Sequence, residues 1–223
     1  MNIRMLRRFV AIAVVTVATG CGGGGSDATP TAPTPPTPAN SNPAITSLSV
    51  NPTFGIANIT TFSYSASASD SNNDALTYSW NLAGNTATGQ SGQVSFSNGF
   101  SGELRVTVTD GRGGSATDAR QITVGSMTGT WRGTAARLGT FTFNLTQVGA
   151  FVTGSYTDAF GAAQIPGDLP GTINGSGQVE LRIKGGNFAD VIFRGTMDQT
   201  GRRISGGLFN SGFSGDPFVM DKQ

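Results

Sequence analysis

The chain predicts an all-β protein, a β-sandwich followed by an eight-stranded antiparallel up-and-down β-barrel. Three observations carry that expectation. Short runs after residue 43 alternate apolar and polar side chains at period two, the spacing of a strand with one face buried. Gly-rich and Asn/Asp-rich turn signals fill nearly every gap between those runs. The chain holds 33 Gly while charged residues make up only 12%, a balance that suits short strands and tight turns better than helices.

The N-terminal segment does not belong to that pattern. Arg4, Arg7 and Arg8 form a basic start, residues 9–18 are apolar, and Ala18-Thr19-Gly20 places small residues before Cys21. This is the layout of a signal peptide over residues 1–20. The apolar run is about ten residues, short of the roughly 20 that cross a bilayer as a helix. Val17-Ala18-Thr19-Gly20-Cys21 resembles the lipobox of bacterial lipoproteins, and the resemblance implies lipidation of Cys21 as the mature N-terminus. Cys21 is also the one Cys in the chain, so no internal disulfide is available. Residues 22–43 begin with four consecutive Gly and continue in Thr-Pro repeats, with almost nothing to bury. They are expected to form a disordered tether. Gly22 after the Cys resembles lipoproteins sorted to the outer membrane, which implies a cell-envelope location on its periplasmic or surface side.

Residues 44–125 are expected to form the sandwich. Alternating runs fall at 45–50, 62–68, 76–82, 104–108 and 122–124, with Val94 and Phe96 marking another. Leu76, Tyr78, Trp80 and Leu82 share one face, as do Leu104, Val106 and Val108. Asp110-Gly-Arg-Gly-Gly is a strong reversal between two strands, since glycine accepts positive φ. Leu76-Thr-Tyr-Ser-Trp80, with the run from Val106 through that turn, resembles PKD-type domains and their immunoglobulin-like relatives in bacterial surface proteins. The resemblance implies an immunoglobulin-like sandwich acting as a spacer or adhesive module. Asp70, Asn72 and Asp74 alternate in a loop and are the candidate Ca²⁺ ligands, as related domains bind calcium at a comparable loop. The EF-hand pattern is excluded by Ala75 and Asn81, and a polar loop with Asx turns accounts for the same residues.

Residues 126–223 are expected to form the barrel. Phe141, Phe143 and Leu145 alternate with Thr142, Asn144 and Thr146, and Val179, Leu181 and Ile183 alternate with Glu180, Arg182 and Lys184. The apolar sets, with Phe193 and Met197, should point inward, and Glu180, Arg182, Lys184 and Arg194 outward. About eight strands joined by short turns suit a meander closed on itself, which removes exposed edges. Gly129-Thr-Trp131, Gly139-Thr-Phe141 and Val152-Thr-Gly-Ser-Tyr156 resemble the opening strands of avidin-like and lipocalin-like barrels. The resemblance implies a small-ligand pocket and makes Trp131 and Tyr156 candidate ligand-binding residues. Biotin binding is not carried over, because this segment holds no Trp besides Trp131. From the pattern alone, Trp131 plugs the closed end of the barrel and Tyr156 faces the core with its hydroxyl at the rim.

Composition narrows the functions. The chain has no His, which removes the commonest general base and metal ligand. A formal net charge of +1 provides no field for nucleic acid. Asp158, Asp168, Asp190, Asp198 and Asp216 stand mostly in turns and form no legible acid–base pair. No catalytic residue and no cofactor is therefore expected, with Ca²⁺ as the one candidate ion. The expected function is a membrane-anchored, non-catalytic binding module for a small apolar ligand, a glycan or a protein partner. Its partners would be the membrane, through the N-terminal lipid, and an envelope or extracellular ligand. The alternatives are a purely structural envelope or adhesion protein and, ranked last, a His-independent hydrolase. The interior of the barrel discriminates between them: an apolar pocket favours a small ligand, a filled interior favours a structural or contact role, and a buried carboxylate pair favours an enzyme.

Overall fold

The computed structural model describes residues 38–158, 169–184 and 189–223, and sixteen strands lie among them. The expected signal peptide, Cys21 and most of the tether lie outside the described residues. Residues 39–43, read from the sequence as the end of the tether, lie against the sandwich loops. The Asn40 side-chain amide donates to Asp110 Oδ2 at 2.6 Å, and the Ser41 amide donates to Asn72 Oδ1 at 2.7 Å.

The sandwich consists of two sheets. One has the order β1 (Ala44–Asn51), β3 (Thr61–Ser69), β6 (Ser91–Ser95). The other has the order β2 (Phe54–Ile56), β8 (Ser115–Gly125), β7 (Phe100–Thr109), β4 (Thr77–Leu82), β5 (Asn85–Thr88). Their inner faces meet in one core, where Leu48, Phe62 and Tyr64 pack with Trp80, Leu104 and Val106. The Tyr64 and Trp80 rings approach to 4.5 Å between centroids, at a tilt of 50°. Alternation selects these residues, since each strand turns every second side chain to the partner sheet. The β7–β8 reversal is closed as its sequence predicts. Gly111 and Gly113 take positive φ, and Asp110 Oδ1 accepts from the Arg112 amide at 2.7 Å and the Gly114 amide at 2.9 Å.

Two strands were silent in the sequence. β5 is a polar edge strand whose one apolar residue, Ala87, is partly buried, too little for alternation to give a signal. β2 is three residues long and contains Gly55; it pairs parallel to β8, a contact between residues distant in sequence.

The barrel closes in chain order: β9 (Gly129–Ala135), β10 (Gly139–Val148), β11 (Phe151–Asp158), β12 (Gly171–Ile173), β13 (Gln178–Ile183), β14 (Val191–Met197), β15 (Arg203–Asn210) and β16 (Phe213–Lys222), with β16 pairing back onto β9. The up-and-down eight-stranded barrel is as the alternation predicts. Phe143, Leu145, Val179, Leu181, Phe193 and Met197 are buried inside it, and Phe141 and Ile183 pack against the same core while partly exposed. Arg182 and Arg194 are exposed on the outer face, with Glu180 half-buried beside Arg194.

The sequence does not announce how the two sheet systems meet. Ile56 of β2, fully buried, belongs to the barrel core rather than to the sandwich core, with Phe54 and Ile59 packed beside it. Ile56 pairs with Gly125, the last residue of β8. A Cβ on Gly125 would lie 2.4 Å from Met197 Sδ and 3.2 Å from Ile56 Cδ1, so a larger residue there would push these two side chains aside. Gln147 completes the joint: its Nε2 donates to the Ala57 carbonyl at 2.9 Å, and its Oε1 accepts from the Met127 amide at 2.9 Å. Residues 39–223 are one compact unit.

Candidate functional site

Among the described residues, one apolar cluster packs the barrel core, while Phe141, Tyr156, Ile183, Val191 and Phe213 stay partly exposed around it. Trp131, Phe143, Phe193, Phe218, Leu181 and Ile173 are all fully buried within it. Trp131, one of the two candidate ligand residues, is 0% exposed, and its indole N–H donates to the Met127 carbonyl at 2.8 Å. It is a core plug at the end of the barrel next to the sandwich. Tyr156, the other candidate, packs its ring near Phe141 and Phe143 and donates its hydroxyl to the Lys184 carbonyl at 2.7 Å. The structure therefore makes both residues part of the packed barrel, in the positions that alternation and the rim hydroxyl suggest.

The outer face of the barrel is polar. Ion pairs span adjacent strands at Arg194–Glu180 (2.8 Å), Arg203–Asp221 (2.8 Å) and, on the loop side, Arg182–Asp190 (3.6 Å). Apolar inside and charged outside is the inverse of a lipid-facing barrel. Among the described residues no helix is long and apolar enough to cross a membrane.

A groove of about 620 Å³ crosses β12–β15 on this face, and Phe151 stands beside it on the strand next to Thr172. Phe151 pairs with Thr172, Thr172 with Glu180, and Glu180 with Arg194, so these four side chains form a ladder across four strands. Directly opposed residues of an antiparallel pair share a face, and strands stand ~4.8 Å apart, so the ladder spans roughly 14 Å. A second row, Gln178, Thr196 and Ser205, runs beside it. Arg194 donates through Nε to Glu180 Oε2 at 2.8 Å, and its guanidinium stacks 5.6 Å from the centre of the Phe209 ring. At the end of the ladder Phe151 is 70% exposed, and its hairpin partner Val148 is also 70% exposed. Alternation assigned Glu180 and Arg194 to the outer face but could not align them with Phe151, because that needs the register of four strands.

A smaller groove of about 460 Å³ crosses the outer face of the sandwich at β4, β5 and β7. Trp80 borders it but is buried, with its indole N–H donating to the Gly89 carbonyl at 2.9 Å.

The candidate calcium loop lies between β3 and β4. Asp70 Oδ1 accepts from the amides of Asn72 at 2.8 Å and Asp74 at 3.2 Å, the Asx-turn arrangement. Asn72 is turned to the N-terminal segment, accepting from Ser41 and donating to the Ala39 carbonyl at 3.4 Å. Asp74 Oδ1 pairs with Arg112 at 2.9 Å, and the Asp74 side chain is only 9% exposed. One oxygen of each carboxylate, Asp70 Oδ2 and Asp74 Oδ2, is buried without a hydrogen-bond partner. Two orphaned anionic oxygens suit a hard cation, which would complete its shell with water and carbonyls. No group of three or more Asp, Glu, Cys or His side chains converges on a metal position among the described residues.

The turn carboxylates hold local structure. Burial pushes Asp198 upward, but hydrogen bonds from the Thr200 hydroxyl and the Arg203 and Arg202 amides outweigh it, leaving the group below the ordinary carboxylate value. Arg137 holds Asp216 low through a 3.0 Å hydrogen bond. The Asp158 side chain and all of Asp168 lie outside what is described.

No protein-family model matches the chain, and no curated protein matches it. Among solved structures, it is similar to one described as a carbohydrate-binding module from the β-sandwich superfamily, at 16% identity and a TM-score of 0.37. The match covers 76% of this chain and 61% of that one, so the chain spans about three fifths of that structure. A likeness this distant carries no argument about function.

Proposed function

We propose that the protein is a membrane-anchored envelope lipoprotein that displays a non-catalytic binding module, with its binding surface on the outer face of the barrel. The observation that carries this is the open, polar-lined groove on the barrel wall, beside a core in which Trp131 and its neighbours are fully buried. The exposed ladder beginning at Phe151 offers a surface to a partner. Lipidated Cys21 and the residue 22–43 tether would hold this surface away from the membrane, on the outer-membrane side of the envelope.

The PKD-like sandwich serves in this view as a rigid collar, locked to the barrel through Ile56 and Gln147. Calcium at the orphaned oxygens of Asp70 and Asp74 would tie the β3–β4 loop, which already contacts residues 39–41, to the end of the tether. The packed core of the barrel also fits a purely structural envelope protein, and binding decides between the two.

Cell fractionation of the wild type and Cys21→Ala tests the anchor. After a carbonate wash that strips peripheral binding, the wild type should stay with the membranes and the variant should be released. The purified variant, incubated with isolated envelope fractions without that wash, should be retained by at least one of them. Carbonate-resistant membrane retention of Cys21→Ala would overturn the anchor, and no retention by any fraction would overturn the display.

A further inference from the structure

We infer that the groove across β12–β15 binds a neutral oligosaccharide, with the Glu180–Arg194 pair as its polar clamp and Phe151, on the strand next to Thr172, as a stacking platform at its edge; this rests on the display function proposed above. Four features point to that ligand class.

The first is an aromatic ring left in water. Phe151 is 70% exposed although its neighbour on the strand, Val152, is buried in the barrel core. The face of an aromatic ring is electron-rich and attracts the polarised C–H groups on the flat side of a pyranose. The second is alignment, since Phe151, Thr172, Glu180 and Arg194 lie in register on one face. The row follows the curved barrel wall over four strands, a path that a chain of sugar units can follow and a compact ligand cannot span.

The third is charge. Glu180 and Arg194 pair with each other at 2.8 Å, so the groove has no net charge to attract an anion or a cation. The pair still leaves the second carboxylate oxygen and the terminal guanidinium amino groups for a ligand, an acceptor and donors side by side, matched to adjacent hydroxyls. Phe209 stacks on Arg194 and holds that guanidinium in place. The fourth is the lining, in which Thr172, Thr196, Ser205 and Gln178 supply further hydroxyl and amide groups. A protein hot spot would instead centre on a desolvated apolar pocket. The sandwich groove lacks the exposed ring, since Trp80 is buried beneath it.

The test uses the full chain carrying Cys21→Ala, titrated calorimetrically with neutral tetrasaccharides of glucose, mannose and N-acetylglucosamine and with a uronic-acid tetrasaccharide as the anionic control. At least one neutral sugar should bind and the anionic one should not. Phe151→Ala and Arg194→Ala should each weaken binding tenfold or more while the melting temperature stays that of the parent, and Thr88→Ala in the sandwich groove should change nothing. Absence of binding to any neutral sugar, preference for the uronic acid, or binding indifferent to Phe151→Ala would each overturn the inference. Retention by an envelope protein fraction with no sugar bound would leave the display function standing and remove only the saccharide.

Discussion

Phe143 and Phe151 face opposite sides of one barrel wall, and replacing each by Ala tests the assignment of faces. Phe143 is fully buried, with the rings of Tyr156, Phe141 and Phe218 at 6.0, 6.1 and 6.1 Å between centroids. Its truncation removes a large apolar group and leaves a cavity, at a cost of about 3–5 kcal/mol. Each lost aromatic contact forms part of that figure rather than adding to it. For a unit of this size about 1 kcal/mol moves the melting temperature by roughly 2–4 °C, so Phe143→Ala should melt roughly 6–20 °C lower. Phe151, at 70% exposure, should change stability by less than about 0.5 kcal/mol. Calorimetry or circular dichroism on both variants reads the difference. Equal melting temperatures for Phe143→Ala and the parent, or a loss at Phe151 as large as that at Phe143, would refute the inward and outward assignments on which the groove depends.

Gln147→Ala strips the partners from the Met127 amide and the Ala57 carbonyl, and each buried group left unpaired costs about 1–3 kcal/mol, measurable by urea unfolding. An unchanged midpoint would show that the joint between sandwich and barrel does not depend on it. Stability should fall on acidification. Asp110, held low mainly by the Arg112 amide and the Asn40 side chain, and Asp198 and Asp216, also low, each stabilise the fold above the ordinary carboxylate value. That contribution is lost as pH falls through the depressed folded values, so melting temperature should decline below about pH 5, with a shallower decline in Asp110→Asn. A flat profile would contradict this. Calcium should raise the melting temperature, by the equivalent of about 2.7 kcal/mol at a hundredfold excess over Kd, and Asp74→Asn should abolish the rise. No response to calcium or to chelator would remove the ion from the β3–β4 loop.

What the sequence determined by itself was local. Period-two alternation separated Phe143 and Leu145 from Thr142 and Asn144, and Val179 and Leu181 from Glu180 and Arg182, because a strand turns successive side chains to opposite faces whatever it pairs with. Asp110 and the glycines after it marked their turn because positive φ and the Asx hydrogen bonds are properties of a few consecutive residues. Eight such runs in succession, most joined by short turns, favour a meander that closes on itself. Tertiary structure decided everything that needs two distant segments at once. Ile56 reads like a sandwich residue, yet it fills the barrel core because β2 pairs with the last residues of β8 at the junction. Phe151, Thr172, Glu180 and Arg194 are single polar or apolar letters scattered over 44 positions, and only strand register brings them into one row. Register depends on hydrogen-bond pairing between strands, and that pairing leaves no mark on either strand alone.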